Sequence, residues 1–92
     1  MQIAKPPAGF IMKELATIAA LIASKAESWP RLTKFWIDIK DRLKQTGHRE
    51  GVAVGRGRLF IAEGDAASGL PTVKIVYEVL GDTLYIRIVS VE

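Results

Sequence analysis

The chain contains no cysteine, and its 92 residues include a single histidine. Without cysteine it can form neither a disulfide framework nor a thiolate metal site, and it has no thiol nucleophile. One histidine excludes a metal site built from several histidines and argues against a histidine-centred triad. We therefore expect no metal and no other cofactor. The lack of cysteine also fits a reducing compartment, and we expect a cytoplasmic protein.

Long apolar segments are lacking as well. The most apolar stretch, residues 15–23, is too short to cross a bilayer, which takes about twenty residues. Lys13 and Glu14 directly precede it, and Lys25 lies inside the small-residue tripeptide that would serve as a signal-peptide cleavage site. We interpret the stretch as a buried helix, with a targeting segment as the alternative, and expect no membrane association.

The length and charge of the chain are compatible with one domain over residues 1–92 and with an anionic partner. A chain of this size can bury a single core without metal or disulfide support. Thirteen Lys and Arg residues against ten Asp and Glu give a formal net charge of +3. That mild excess favours nucleic acid or another anion as a partner, although many proteins of similar charge bind neither.

Helical periodicity characterises the first half of the chain. It predicts one helix from Ala8 to about Lys25, whose apolar arc is wider than a single sheet needs to cover. A homodimer through this first helix is therefore one alternative.

Ser28 suits the N-cap of a second helix that runs to about Gln45, and Gly47 suits its end. On this helix Asp38 and Arg42 would form an i,i+4 ion pair. Its predicted apolar stripe consists of Leu32, Phe35, Trp36, Ile39 and Leu43.

Before the helices, residues 1–5 are a candidate for a short strand that Pro6 and Pro7 would stop. After the helices the period changes to that of strands. Strands are predicted at residues 52–54, 58–62 and in a long hairpin over 72–91. The sequence thus predicts an α+β fold, in which two N-terminal helices pack on one face of a three- to four-stranded antiparallel sheet.

The final hairpin has a predicted register, because Gly81-Asp82 suits a two-residue turn. The predicted pairs are Leu80 with Thr83, Val79 with Leu84, Glu78 with Tyr85, and Val76 with Arg87. Alternation then gives a core face of Val73, Ile75, Tyr77, Val79, Leu84, Ile86 and Ile88. The other face would carry Lys74, Val76, Glu78, Tyr85, Arg87 and Val89. Because that face mixes cations, a carboxylate and a phenol, we look for function there.

The strand Lys74-Ile75-Val76-Tyr77-Glu78-Val79, followed by an acidic turn and an apolar last strand, resembles the RelE/ParE toxin superfamily. Members often carry Arg-Ile-Ile-Tyr-x-Val in the penultimate strand. Lys74 stands at the arginine position, while Tyr77 and Val79 match the tyrosine and valine. Residues 1–5 resemble the first strand of the family, so the order of elements agrees over most of the chain.

The resemblance implies the toxin of a bacterial type II toxin–antitoxin system, with a cognate antitoxin as its partner. In the RelE branch such toxins are mRNA interferases that cleave mRNA on the ribosome, and in the ParE branch they inhibit DNA gyrase. A metal-independent endoribonuclease of this kind lets the ribose 2′-OH attack the neighbouring phosphorus. Cationic side chains then stabilise the charge on the phosphorane and the leaving 5′-oxygen.

The resemblance also suggests which residues carry the chemistry. The candidates for catalysis are Lys74, Arg87, Arg58 and Arg56, and the weaker candidates for substrate binding are Tyr85, His48 and Arg49. Each has a plainer interpretation. Arg87 can form an exposed ion pair with Glu78, worth under about 1 kcal/mol, and Tyr85 can pair across the strands instead of stacking on a base.

The last residues depart from the family pattern. Ribosome-dependent nucleases of the family continue past the last strand with a glycine, a basic residue and a tyrosine, whereas this sequence ends at Ser90-Val91-Glu92. Reduced or absent nuclease activity is therefore one alternative to full activity. A ParE-like gyrase inhibitor, or a non-enzymatic module that oligomerises, are the alternatives.

Overall fold

The structure is a computed structural model that describes residues 8–92. Its elements are strand β1 (Ile11–Glu14), helices α1 (Ala16–Lys25) and α2 (Leu32–Thr46), and strands β2 (Val52–Val54), β3 (Gly57–Ala62), β4 (Val73–Leu80) and β5 (Thr83–Val91). One turn of 3-10 helix, Ala66–Ser68, lies between β3 and β4. The predicted α+β class is confirmed.

The strands form one mixed sheet in the order β1-β5-β4-β3-β2. The four strands after the helices pair antiparallel, as predicted. The sheet nevertheless has five strands rather than three or four, because β1 adds to the free edge of β5 in parallel. Both helices pack on one side of this sheet. We call the opposite side the open face.

β1 lies where the sequence predicts the start of the first helix, so that part of the prediction is wrong. The helical spacing of apolar residues there is overridden by main-chain pairing with β5, in which the Ile11 N–H donates to the Asp82 carbonyl at 2.8 Å. Gly9 precedes the strand at a φ of +83°, a conformation that favours glycine and interrupts a helix. The strand predicted over residues 1–5 lies outside the described residues.

Helix α2 supplies the helical half of the core. Its buried residues are Leu32, Trp36, Ile39 and Leu43, which all belong to the predicted apolar stripe. Each such side chain contributes about 1.5–3 kcal/mol through burial. The predicted start at Ser28 is wrong, because the cap position is Arg31. Within residues 8–92, neither helix has the length and apolar character needed to span a membrane.

Gly47 ends α2 as predicted, although not through a left-handed backbone. Its φ of −58° is ordinary for any residue. The glycine is needed because a Cβ there would lie 2.5 Å from Leu84 Cδ1 and 2.6 Å from the Leu43 carbonyl oxygen. The helix therefore leaves the core by passing directly against β5.

The final hairpin contains a β-bulge that the alternation rule does not predict. The pairs nearest the turn are those expected, with Glu78 opposite Tyr85. Further along, Val76 pairs with Ile88 and Tyr77 with Ile86, which leaves Arg87 as an extra residue. The predicted pairing of Val76 with Arg87 is therefore wrong.

Beyond the bulge, the residues of β5 face the opposite sides of the sheet from those predicted. Val89, predicted to face away from the core, is only 8% exposed, whereas Ile88, predicted to lie in the core, is 61% exposed. Val73, Ile75 and Tyr77 on β4 are buried as predicted, because the extra residue lies on β5.

We predict that Val89→Asp lowers the free energy of unfolding by about 3 kcal/mol or more, since it buries an unpaired charge. The neighbouring Ile88→Asp should change it by only about 0.5 kcal/mol, since that side chain is largely in solvent. Urea denaturation of dilute protein measures both values. A larger loss for Ile88→Asp would contradict the bulge.

Candidate functional site

The segment between α2 and β2, residues 47–51, is fastened to the sheet by two neighbouring side chains. The Tyr77 hydroxyl donates to the Gly47 carbonyl at 2.6 Å and lies 3.1 Å from the Glu50 carbonyl. Arg58 is opposite Tyr77 in the sheet, and its Nε–H donates a hydrogen bond to the Glu50 carbonyl at 2.6 Å. These contacts fix the end of α2 relative to β3 and β4.

Burial keeps the Tyr77 phenol a hydrogen-bond donor. The side chain is completely buried, and this burial raises the pKa of Tyr77 to about 12, while the nearby Arg58 opposes the rise. The hydroxyl therefore stays protonated throughout the physiological range and keeps the proton that it donates to the Gly47 carbonyl.

A groove of about 220 Å³ opens beside this segment, on the helix side of the sheet. Its lining residues are His48, Ala53, Gly55, Arg56, Gly57, Arg58 and Val79. Three of the predicted site residues thus meet at one place, namely His48, Arg56 and Arg58. The turn between β2 and β3 forms one wall, and its glycines leave the backbone open to a ligand.

The two arginines of the groove differ in their bonding. Arg58 is half-buried and is held by the carbonyls of Glu50 and Gly51, the latter at 3.2 Å. Arg56 is exposed, and no carboxylate in the described part of the chain pairs with it. Arg56 is therefore free to bind an anion, beside a fixed guanidinium.

His48 adds an unsatisfied polar atom. The side chain is half-buried, with its ring centroid 5.5 Å from that of Phe10. Its Nδ1 is buried and has no hydrogen-bond partner within residues 8–92. A buried polar atom without a partner costs about 1–3 kcal/mol, so a hydrogen-bond donor that reached this nitrogen would be stabilised.

The nearest acidic side chain is already neutralised. Glu50 forms an ion pair with Arg42, whose guanidinium also lies over the Phe60 ring at 5.1 Å. The hydrogen bond from Arg42 holds the pKa of the Glu50 carboxyl below its ordinary value, against the opposing effect of burial, and Arg49 makes a smaller contribution. Glu50 therefore does not cancel the positive charge of the groove.

The remaining predicted site residues lie elsewhere. Lys74, Tyr85 and Arg87 are on the open face, across the sheet from the groove. Arg87 pairs with Glu78 at 3.1 Å and its guanidinium lies 4.7 Å from the centre of the Tyr85 ring, while Lys74 pairs with Glu92 at 3.4 Å. Each cation thus has its own carboxylate, and the two do not form one anion site. Arg49 is exposed next to His48 but does not line the groove.

Sequence reasoning missed the parts that position the groove. It assigned Tyr77 to the core without a partner for its hydroxyl, although a buried tyrosine normally has one. It paired Arg42 with Asp38, whereas Asp38 pairs with Lys34 at 3.1 Å and Arg42 with Glu50. Nothing in local spacing points to Glu50, because the chain must first turn back after α2.

Comparison with models of protein families, with characterised proteins and with solved structures gives no match for this chain. Of the described residues, no group of three or more His, Asp or Glu is arranged to hold a metal ion. A larger cleft of about 400 Å³ between α2 and β3 contains Asp38 and Glu63 as well as the paired Arg42. The groove at His48 is therefore the strongest candidate for an anion site.

We predict that Tyr77→Phe lowers the free energy of unfolding by about 1–2 kcal/mol, because buried carbonyls lose their donor. The raised pKa gives a second signature. In the wild type, the contribution of Tyr77 to the free energy of unfolding should be fully present below pH 10. It should fall between pH 10 and about 12, because the phenol ionises at lower pH in the unfolded chain than in the folded one. Tyr77→Phe should lack this fall. Denaturation at several pH values measures it, with Tyr85→Phe as the control.

Glu50→Gln tests the ion pair in acid. Because the pKa of Glu50 is lowered on folding, its contribution is present above the unfolded value of 4.5 and is lost as the pH falls through the folded value. We expect a loss of at most about 1 kcal/mol at neutral pH, since Arg42 is largely exposed, and none in strong acid. The exposed Glu27→Gln is the matched control, and an equal effect there would contradict this assignment.

Proposed function

We propose that the protein is the toxin of a bacterial type II toxin–antitoxin system of RelE/ParE kind, acts in the cytoplasm on RNA, and binds the RNA backbone in the groove. The observation that carries this proposal is the meeting of His48, Arg56 and Arg58 around one cavity, where no carboxylate of residues 8–92 pairs with Arg56. Arginine binds phosphate oxygens with two parallel hydrogen bonds, so a phosphodiester is a suitable ligand for Arg56.

The groove contains the groups that a metal-independent cleavage needs. In this mechanism His48 accepts the proton of the ribose 2′-OH, whose oxygen attacks the adjacent phosphorus. The bond from phosphorus to the 5′-oxygen breaks, which leaves a 2′,3′-cyclic phosphate and a 5′-oxygen that takes a proton from water, while Arg56 stabilises the charge on the phosphorane. Arg58 is already held by two carbonyls, so it contributes a fixed positive field without reorganising.

The resemblance in sequence adds support, since it covers β4, whose Val79 lines the groove. Lys74, Arg87 and Tyr85 take a secondary role in this proposal, because each cation is engaged by a carboxylate on the open face. A cognate antitoxin is the expected partner. It would neutralise the toxin by covering the groove.

We predict that Arg56→Gln weakens binding of a single-stranded RNA oligonucleotide by about tenfold, the value of one charge-assisted hydrogen bond pair. A plot of log affinity against log salt should lose about 0.7 of its slope, because one phosphate contact is removed. Fluorescence anisotropy at several salt concentrations measures both. The control is Arg31→Gln, because Arg31 bonds the Ser68 carbonyl away from the groove. Equal effects of the two variants would contradict the assignment.

Induced expression in a bacterial host separates the nuclease from the gyrase inhibitor. Arrest of protein synthesis with cleaved transcripts, relieved by His48→Ala, is the result expected of the nuclease. His48→Ala should retain RNA affinity in the anisotropy assay, because Arg56 remains. Arrested replication with intact transcripts would instead assign the protein to the ParE kind.

A further inference from the structure

The open face carries an apolar row that crosses four strands. Register pairs Val52 with Leu59, Leu59 with Val76, and Val76 with Ile88, so these residues lie side by side from β2 to β5. Val52 and Ile88 at its two ends are each 61% exposed. The solvent face of a one-sided sheet normally carries polar side chains, so an aligned apolar row needs an explanation.

The bulge at Arg87 completes this row. Without the extra residue, alternation would place Arg87 beside Val76, and the Ile88 side chain would point into the core. With it, Ile88 becomes the fourth member of the row, and Arg87 moves to its border. Bulges commonly aim a side chain at a functional surface.

Charged residues border the row on both sides in a balanced arrangement. Along β4, Lys74 and Glu78 each lie two residues from Val76, which is about 7 Å in opposite directions. Lys74 is paired with Glu92 on its side, and Glu78 is paired with Arg87 on the other. The two cations that border the row are thus both paired, whereas Lys13 on β1, opposite Tyr85, is exposed on the same face with no carboxylate partner among residues 8–92.

We propose that the open face is a homodimer interface in which two copies stack their sheets about a twofold axis that runs along the apolar row. This operation reverses the direction along the strands, so Lys74 of one copy meets Glu78 of the other, and Arg87 approaches Glu92. An axis along β4 would instead set Lys74 against Lys74. Charge complementarity therefore selects a second copy of this chain, in one orientation, as the occupant.

The size of the face sets the strength of the dimer. Five strands about 4.8 Å apart, with a mean length of six residues or about 20 Å, give roughly 500 Å² of flat area per copy. Stable interfaces bury about 800 Å² per partner, so this dimer is expected to be weak, with a dissociation constant in the micromolar range. The proposal is independent of RNA binding, because the groove lies on the other side of the sheet.

Sedimentation velocity of the full chain between about 1 µM and 1 mM tests the association. The wild type should convert from monomer to dimer over this range, and Ile88→Glu should weaken association at least tenfold. Ile37→Glu is the matched control, because Ile37 is 49% exposed on α2 and lies outside the open face. Circular dichroism confirms that each variant is folded. A wild type that stays monomeric at every concentration overturns the proposal and leaves the face to another partner.

A charge exchange tests the orientation. Lys74→Glu alone and Glu78→Lys alone should each weaken self-association, since like charges then meet twice. An equimolar mixture of these two variants should associate again, because each glutamate of the first then meets a lysine of the second. Failure of the mixture to associate overturns the twofold arrangement, as does an equal loss in the Ile37→Glu control.

Discussion

One buried hydroxyl holds the two layers of this protein together. Tyr77 belongs to the sheet core, and its oxygen contacts the main chain at the end of α2, at Gly47 and again at Glu50. Because Arg58 bonds the same Glu50 carbonyl, the segment that leaves the helix can follow only one path. The groove exists because that path brings His48 to the turn of β2 and β3.

The cations on the two sides of the sheet differ in whether a carboxylate pairs with them. On the open face, Lys74 and Arg87 each have a carboxylate within salt-bridge distance. On the helix side, Arg42 forms an ion pair with Glu50, and Arg56 has no counter-charge among the described residues. A net charge of +3 therefore matters through its distribution. The sheet can offer one side to an anion and the other to a protein.

Local signals predicted the local parts of the fold. The turn at Gly81 and the apolar stripe of α2 follow from residues close in sequence, and both are confirmed. β1 was missed because only its distant partner β5 makes residues 11–14 extended. The bulge was missed because alternation assumes an unbroken ladder. For the site, chain order suggested His48, Arg56 and Arg58 separately, but their meeting depends on the Tyr77 contacts, which local spacing does not encode.

The lengths of the strands restrict how this sheet can grow. The edge strands β1 and β2 have four and three residues, whereas the inner strands β3, β4 and β5 have six, eight and nine. A short edge offers an incoming chain few main-chain hydrogen bonds, so end-to-end extension into a fibril is disfavoured at both margins. Stacking of two open faces, in contrast, stops once two copies have met.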